Sequence, residues 1–183
     1  MSRAVLISIR PEWVQKIITG EKTVEIRKAR PNLETPFKCY IYETQGKSDT
    51  PWIDEDGHMI FRGRGKVVAE FTCDRINRIT HVGYSGSSEK PMLRAYKADN
   101  PIELETNFDF SVACMSAEKI EQYLNGGDGY AWHITDARIF YPRPVELSEF
   151  TGVRASGTWL ERYKIQRAPQ SWCYVEELGN GGL

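Results

Sequence analysis

The sequence has few cysteines and histidines, and none of them cluster. Cys39, Cys73, Cys114 and Cys173 are spread about evenly through 183 residues, and His58, His81 and His133 are equally scattered. A structural zinc site normally announces itself by close-set ligand pairs, so no metal and no other cofactor is expected. A chain of this size can rely on a core rather than on a disulfide framework, and buried free thiols are the expectation. Charge of one sign is also missing: the net charge is −1. Proteins that hold duplex nucleic acid by charge carry a basic excess, because neutralising phosphates dominates their affinity. A near-neutral chain argues against that class, though not against a local basic patch. Long apolar runs are absent as well. The run Ala-Val-Leu-Ile-Ser-Ile at 4–9 is too short for the core of a signal peptide and is followed at once by Arg10 and Pro11. No stretch approaches a membrane span, so a cytoplasmic, membrane-free protein is expected. There is no P-loop, dinucleotide fingerprint or Ser-His-Asp order, and no repeat or low-complexity linker.

What is present is an ordinary globular balance, 40% apolar and 27% charged, in a length that suits one domain over 1–183. Residues 4–9 form a β-branched run of strand length. Pro11 suits a first helical turn, Trp13, Val14, Ile17 and Ile18 make a one-sided stripe, and Gly20 supplies the stop, so 11–19 reads as a helix. Residues 23–27 alternate strictly, with Val24 and Ile26 on one side and Thr23, Glu25 and Arg27 on the other. Residues 37–42 and 66–72 read as strands, and Asp56-Gly57 marks a turn between Trp52-Ile53 and Met59–Phe61. The segment 79–110 reads as an insertion, with a helix about 92–97. A second helix over 116–124 opens on Ser116 and stops at Asn125-Gly126-Gly127. Residues 130–134, 137–140 and 171–176 complete the strands, and the tail after 178 is expected to fray. Many short strands with two helices between them indicate an α+β fold built on a small β-barrel.

The densest polar cluster is Gly20-Glu21-Lys22-Thr23-Val24-Glu25-Ile26-Arg27. Alternation puts Glu25 and Arg27 on one strand face, with Lys22 just before them. Glu25 can hold Lys22 charged or take a proton from it, and Arg27 can clamp a phosphate or carboxylate. A solvated strand face with charges pairing across a sheet fits the same spacing. Among aromatics, Tyr130 and Trp132 share one face, and Tyr40 and Tyr42 another. Tyr42, Trp52 and Trp132 are candidates to stack unpaired bases, with core packing the competing role, favoured for Trp132. Arg62 and Arg64, spaced by glycines and followed by Lys66, can approach phosphates, or simply form a solvated arm. His133 faces away from Trp132, and a structural role is favoured for it over that of a base.

Gly-x-Lys-x-x-Glu-x-Arg, intact here as Gly20, Lys22, Glu25 and Arg27, is the signature of the ASCH family, which this sequence resembles. The context is similar too, since in that family the motif follows a short apolar strand and an amphipathic helix. Gly129-Tyr130-Ala131-Trp132-His133-Ile134 resembles the family's late strand, Cys39–Thr44 its third strand, and Pro169-Gln170-Ser171-Trp172 the end of phage and prophage members. The resemblance covers 4–44, 65–75 and 114–146, and leaves 79–110 unmatched. It implies a PUA-like barrel with a cleft near the motif, and binding of single-stranded RNA or a modified nucleoside through Lys22, Thr23, Glu25 and Arg27. Some members are amidohydrolases acting on acetylated cytidine, and some are reported as ribonucleases. On that alternative Lys22 and Glu25 are the catalytic candidates, although the amidohydrolase members carry Thr at the position of Glu25. A third alternative is a protein-interaction module of a mobile element, docking through 79–110.

Overall fold

In the computed structural model the residues described are 2–45, 52–53, 59–61, 65–85, 90–100, 102–140, 143–156 and 159–179, with 52–53, 59–61, 85 and 156 described by their backbone alone. The chain divides into two compact units. The first comprises Met1–Thr19, Phe37–Thr72 and Asp136–Leu183, and the second Gly20–Pro36 and Cys73–Thr135.

The first unit is organised by β1 (Arg3–Ile9), whose six residues from Ala4 to Ile9 are all buried. A strand covered on both faces needs a continuous apolar run rather than alternation, and residues 4–9 provide one. β1 lies parallel to β3 (Phe37–Glu43), with Val5 opposite Cys39 and Ile9 opposite Glu43. Parallel neighbours require a crossover. Helix α1 (Pro11–Ile18) begins that crossover, with Pro11 in its first turn and Val14 and Ile17 buried. On its other edge β1 pairs antiparallel with β11 (Trp172–Glu176), followed by β9 (Thr151–Ser156) and β10 (Trp159–Lys164). The core gathers Leu6, Tyr40, Val67, Phe140, Phe150 and Val175. The Tyr40 ring meets Phe150 edge-on at 5.0 Å. Gly152 pairs with Tyr163, whose ring lies where a Cβ at Gly152 would project, so the aromatic covers the glycine's bare backbone.

The second unit takes β2 (Val24–Arg27), β7 (Lys90–Lys97), α2 (Ala117–Leu124), and the parts of β6 (Val67–Ser85) and β8 (Gly129–Ile139) that fall within it. β2 pairs antiparallel with β8, β8 neighbours β6, and β7 pairs antiparallel with β6. Val24, Ile26, Ile79, Ala131, Ile120 and Leu124 close the core beneath α2. Ser116 caps α2 by accepting a hydrogen bond from the Lys119 amide, the role expected of it. Outside these sheets, β4 (Trp52–Ile53) and β5 (Met59–Phe61) pair with each other, as expected; the turn at Asp56-Gly57 lies outside the described residues.

Among the described residues the fold is thus mostly β with two short α-helices, compatible with the α+β class. Two expectations are corrected. The helix about 92–97 is instead part of strand β7, whose Pro91 and Ala95 are buried by alternation against β6. Met92, Leu93, Arg94, Ala95 and Lys97 are good helix formers, and strand pairing overrides that preference. The strands at 130–134 and 137–140 are one strand, β8, interrupted by Asp136 at φ 51°. The hairpin β9–β10 was not anticipated. No helix among the described residues is long and apolar enough to cross a membrane.

Candidate functional site

Lys22, Thr23, Glu25, Arg27 and Trp132 all belong to the second unit. Gly20 takes φ +77° after α1, the left-handed turn expected of it, and the chain then docks on a 3-10 turn, Phe110–Ala113. The Thr23 amide donates to Val112 O at 3.0 Å, and Thr23 O accepts from the Ile134 amide at 2.9 Å. The Cys114 thiol donates to Glu21 O at 3.4 Å. These bonds fix the backbone on both sides of Lys22 and leave the Thr23 side chain exposed.

The 3-10 turn is itself held at both ends. Asp109 accepts from the Ser111 amide at 2.8 Å, and Cys114 ends the turn at φ 55°. The Ala113 carbonyl sits at the C-terminal end of that turn, where carbonyls run out of helical donors. Lys22 Nζ donates to it at 2.7 Å. The same Nζ lies 3.2 Å from Glu25 Oε2, while Glu25 Oε1 lies 3.0 Å from Arg27 Nη2. One carboxylate therefore joins two cations, one on each oxygen. The alternative of a solvated charged face is overturned: Lys22 is 1% exposed, and Glu25 and Arg27 are 7% each. The three groups together carry one net positive charge.

Two aromatics complete the site. Trp132 stands opposite Glu25 across the β2–β8 ladder and is fully buried. It walls the carboxylate and is not a platform open to solvent. Tyr123, on α2, is not among the residues the sequence singles out as functional. Its hydroxyl hydrogen-bonds the Arg27 side chain, and burial raises its pKa while that bond opposes the rise. The Lys28 ammonium lies 5.6 Å from the Tyr123 ring centroid. The signal available for Tyr123 was its place one residue before Leu124 on the stripe of α2, where a polar tip can reach past the apolar core.

His133 is in a separate network. Its Nε2 lies 2.7 Å from Asn77 Oδ1 and its Nδ1 3.3 Å from Arg75 Nη2. Burial, with Arg75 beside it, holds its pKa down to about 4. Tyr42 belongs to the first unit and packs against the core there. The Trp52 side chain, Arg62 and Arg64 lie outside the described residues. Among the described residues no three His, Cys, Asp or Glu side chains are grouped as a metal site.

The ASCH domain family model matches residues 7–126. This chain belongs to the ASCH domain family. The match runs from β1 through α2, so the ASCH region includes both the motif segment and the 3-10 turn that receives Lys22. Among solved structures the chain is similar to ASCH from Zymomonas mobilis, at 17% identity and a TM-score of 0.54, with 95% of this chain and 88% of that one covered. A point mutant of that protein matches at 16% identity and a TM-score of 0.52, covering 95% and 91%. These likenesses establish a shared ASCH fold. No curated protein matches the chain.

Proposed function

We propose that this ASCH protein has a PUA-like barrel and binds RNA or a modified nucleoside in a cleft lined by Lys22, Glu25 and Arg27. The observation that supports this reading is the Glu25 carboxylate held between Lys22 and Arg27 at 3.2 and 3.0 Å in a nearly enclosed position. A buried ion cluster is a poor source of stability compared with apolar residues of the same volume. Its value lies in fixed, directional charge, and one net positive charge suits the oxygens of a base or phosphate. In this reading Lys22 and Arg27 donate to ligand oxygens. Glu25 orients Lys22 or accepts from a base edge, and Thr23 offers its exposed hydroxyl beside them.

The test is incubation of the protein with acylated and other modified nucleosides and with short single-stranded RNA, followed by mass spectrometry and calorimetry. A Lys22→Ala variant, checked for folding by circular dichroism, runs in parallel. Binding without product, lost in the variant, is the expected result. Product that depends on Lys22 replaces this reading with the hydrolase alternative. Absence of binding across the panel overturns the reading and leaves the protein-interaction module.

A further inference from the structure

The same side of the second unit's sheet carries a row of side chains that begins at Arg27 and runs beyond the motif. In the β2–β8 ladder Arg27 stands directly opposite Tyr130, and in the β6–β7 ladder Arg78 stands directly opposite Tyr96. Directly opposed residues of antiparallel strands project from the same face. The two pairs abut, because β8 neighbours β6 and the Arg78 guanidinium lies near both tyrosines. The result is a row across four strands that alternates Arg27, Tyr130, Arg78, Tyr96. The Arg30 guanidinium lies 6.0 Å from the Tyr130 ring centroid. Arg94, two residues before Tyr96 on the same strand, projects from the same face and is exposed.

Charge and chemistry narrow the occupant. Arg30, Arg78 and Arg94 are matched on this face by Asp128, which pairs with Arg78. That pair is open to solvent on both sides, at 37% and 45% side-chain exposure, so an incoming phosphate can replace the carboxylate at little cost. Tyrosines separated by arginines offer ring faces for bases and donors for the phosphates between them. The two tyrosines are two strands apart, roughly 10 Å.

Building on the proposed function, we propose that this Arg–Tyr row is a platform for a single-stranded polynucleotide, carrying the nucleotides that flank the one held at Lys22, Glu25 and Arg27. Bases stack on Tyr130 and Tyr96, and Arg78, Arg30 and Arg94 meet the backbone. The ligand is then a strand, not a free nucleoside.

The experiment compares the affinities of a nucleoside monophosphate, a ten-nucleotide single-stranded RNA, the matching DNA strand and a duplex of the same sequence. Wild type, the double variant Arg78→Gln with Tyr96→Leu, Arg94→Gln and Lys22→Ala are each measured at two salt concentrations. The single strand is expected to bind at least about ten-fold tighter than the monophosphate, and the double variant to lose about ten-fold for the strand while keeping monophosphate affinity. Arg94→Gln is expected to lower the salt slope of strand binding by about 0.7. RNA bound tighter than DNA assigns the platform to RNA, and equal binding assigns it to single strands of either sugar. Strand binding untouched by both variants, or a duplex bound as well as the strand, overturns the platform. Monophosphate binding that still needs Lys22 would then leave the motif reading standing. Strand binding that needs Arg78 and Tyr96 but ignores Lys22 supports the platform and removes the motif reading.

Discussion

His133 Nε2 and Asn77 Oδ1 stand 2.7 Å apart, and the arginine on the other side of the ring decides which ring nitrogen carries the proton. Arg75 Nη2, 3.3 Å from His133 Nδ1, can only donate. Nδ1 is therefore the acceptor, and Nε2–H donates to Asn77. Asn77 is fully buried and its amide donates to Tyr96 O at 3.2 Å, which fixes its orientation. The ring is held neutral, with a pKa of about 4 against 6.5 for a free histidine.

A pH dependence of stability follows. The folded pKa lies below the unfolded one, so the contribution is complete above about pH 6.5 and is lost as pH falls toward 4. The loss is about 2–3 kcal/mol at the acid end. Urea unfolding at pH 7 and pH 4.5 is expected to show a smaller drop for His133→Gln than for wild type. Equal drops would remove His133 as the source.

Replacing Glu25 with Gln leaves Lys22 and Arg27 facing a neutral amide in a nearly enclosed site. A loss of about 3 kcal/mol or more is expected from urea unfolding. Arg154→Ala breaks the exposed pair with Glu161 and is expected to leave the unfolding midpoint in place. A Glu25→Gln midpoint as unmoved as that of Arg154→Ala would contradict the buried cluster.

Tyr40 lies in the core of the first unit, and its hydroxyl accepts from the Leu178 amide at 2.9 Å. Burial pushes the phenol up to about 12. Tyr40→Phe keeps the ring and loses the acceptor, at a cost of about 1 kcal/mol. Hydrogen exchange at the Leu178 amide is expected to quicken while that of β1 stays unchanged. An unaltered Leu178 amide would mean that packing alone holds the end of the chain.

Burial raises the Cys73 thiol to about 12 and the Cys173 thiol to about 11. Alkylation at pH 8 proceeds through the thiolate. Both residues are expected to stay unmodified in the native protein and to react in urea, as read by peptide mass spectrometry. Labelling of native Cys73 at the unfolded rate would show that the β6 segment around it opens freely.

The elements that alternate or run apolar were legible in the sequence. The 4–9 run, the Val24–Arg27 alternation, the stripe of α1 and the Ser116 cap each encode a local preference that the fold keeps. The strand at Lys90–Lys97 was not legible, because its residues favour helix and its partner β6 decides otherwise. The hairpin β9–β10 has polar and charged residues along an edge, which carry little periodic signal. At the site, the motif residues were legible as a group, but their burial was not. Alternation assigns a face, and only the tertiary fold determines whether that face meets water. The roles of Tyr123 and Ala113 were not legible because they depend on contacts between distant segments.

The bond from Lys22 to the Ala113 carbonyl spans 91 residues, which has a meaning for the growing chain on the ribosome. The motif leaves the exit tunnel long before the carbonyl that will receive its ammonium has been made. At ordinary translation speeds the interval is roughly 5 to 20 s. During that time Lys22, Glu25 and Arg27 face water, and the site closes only when the segment 110–134 arrives to complete it.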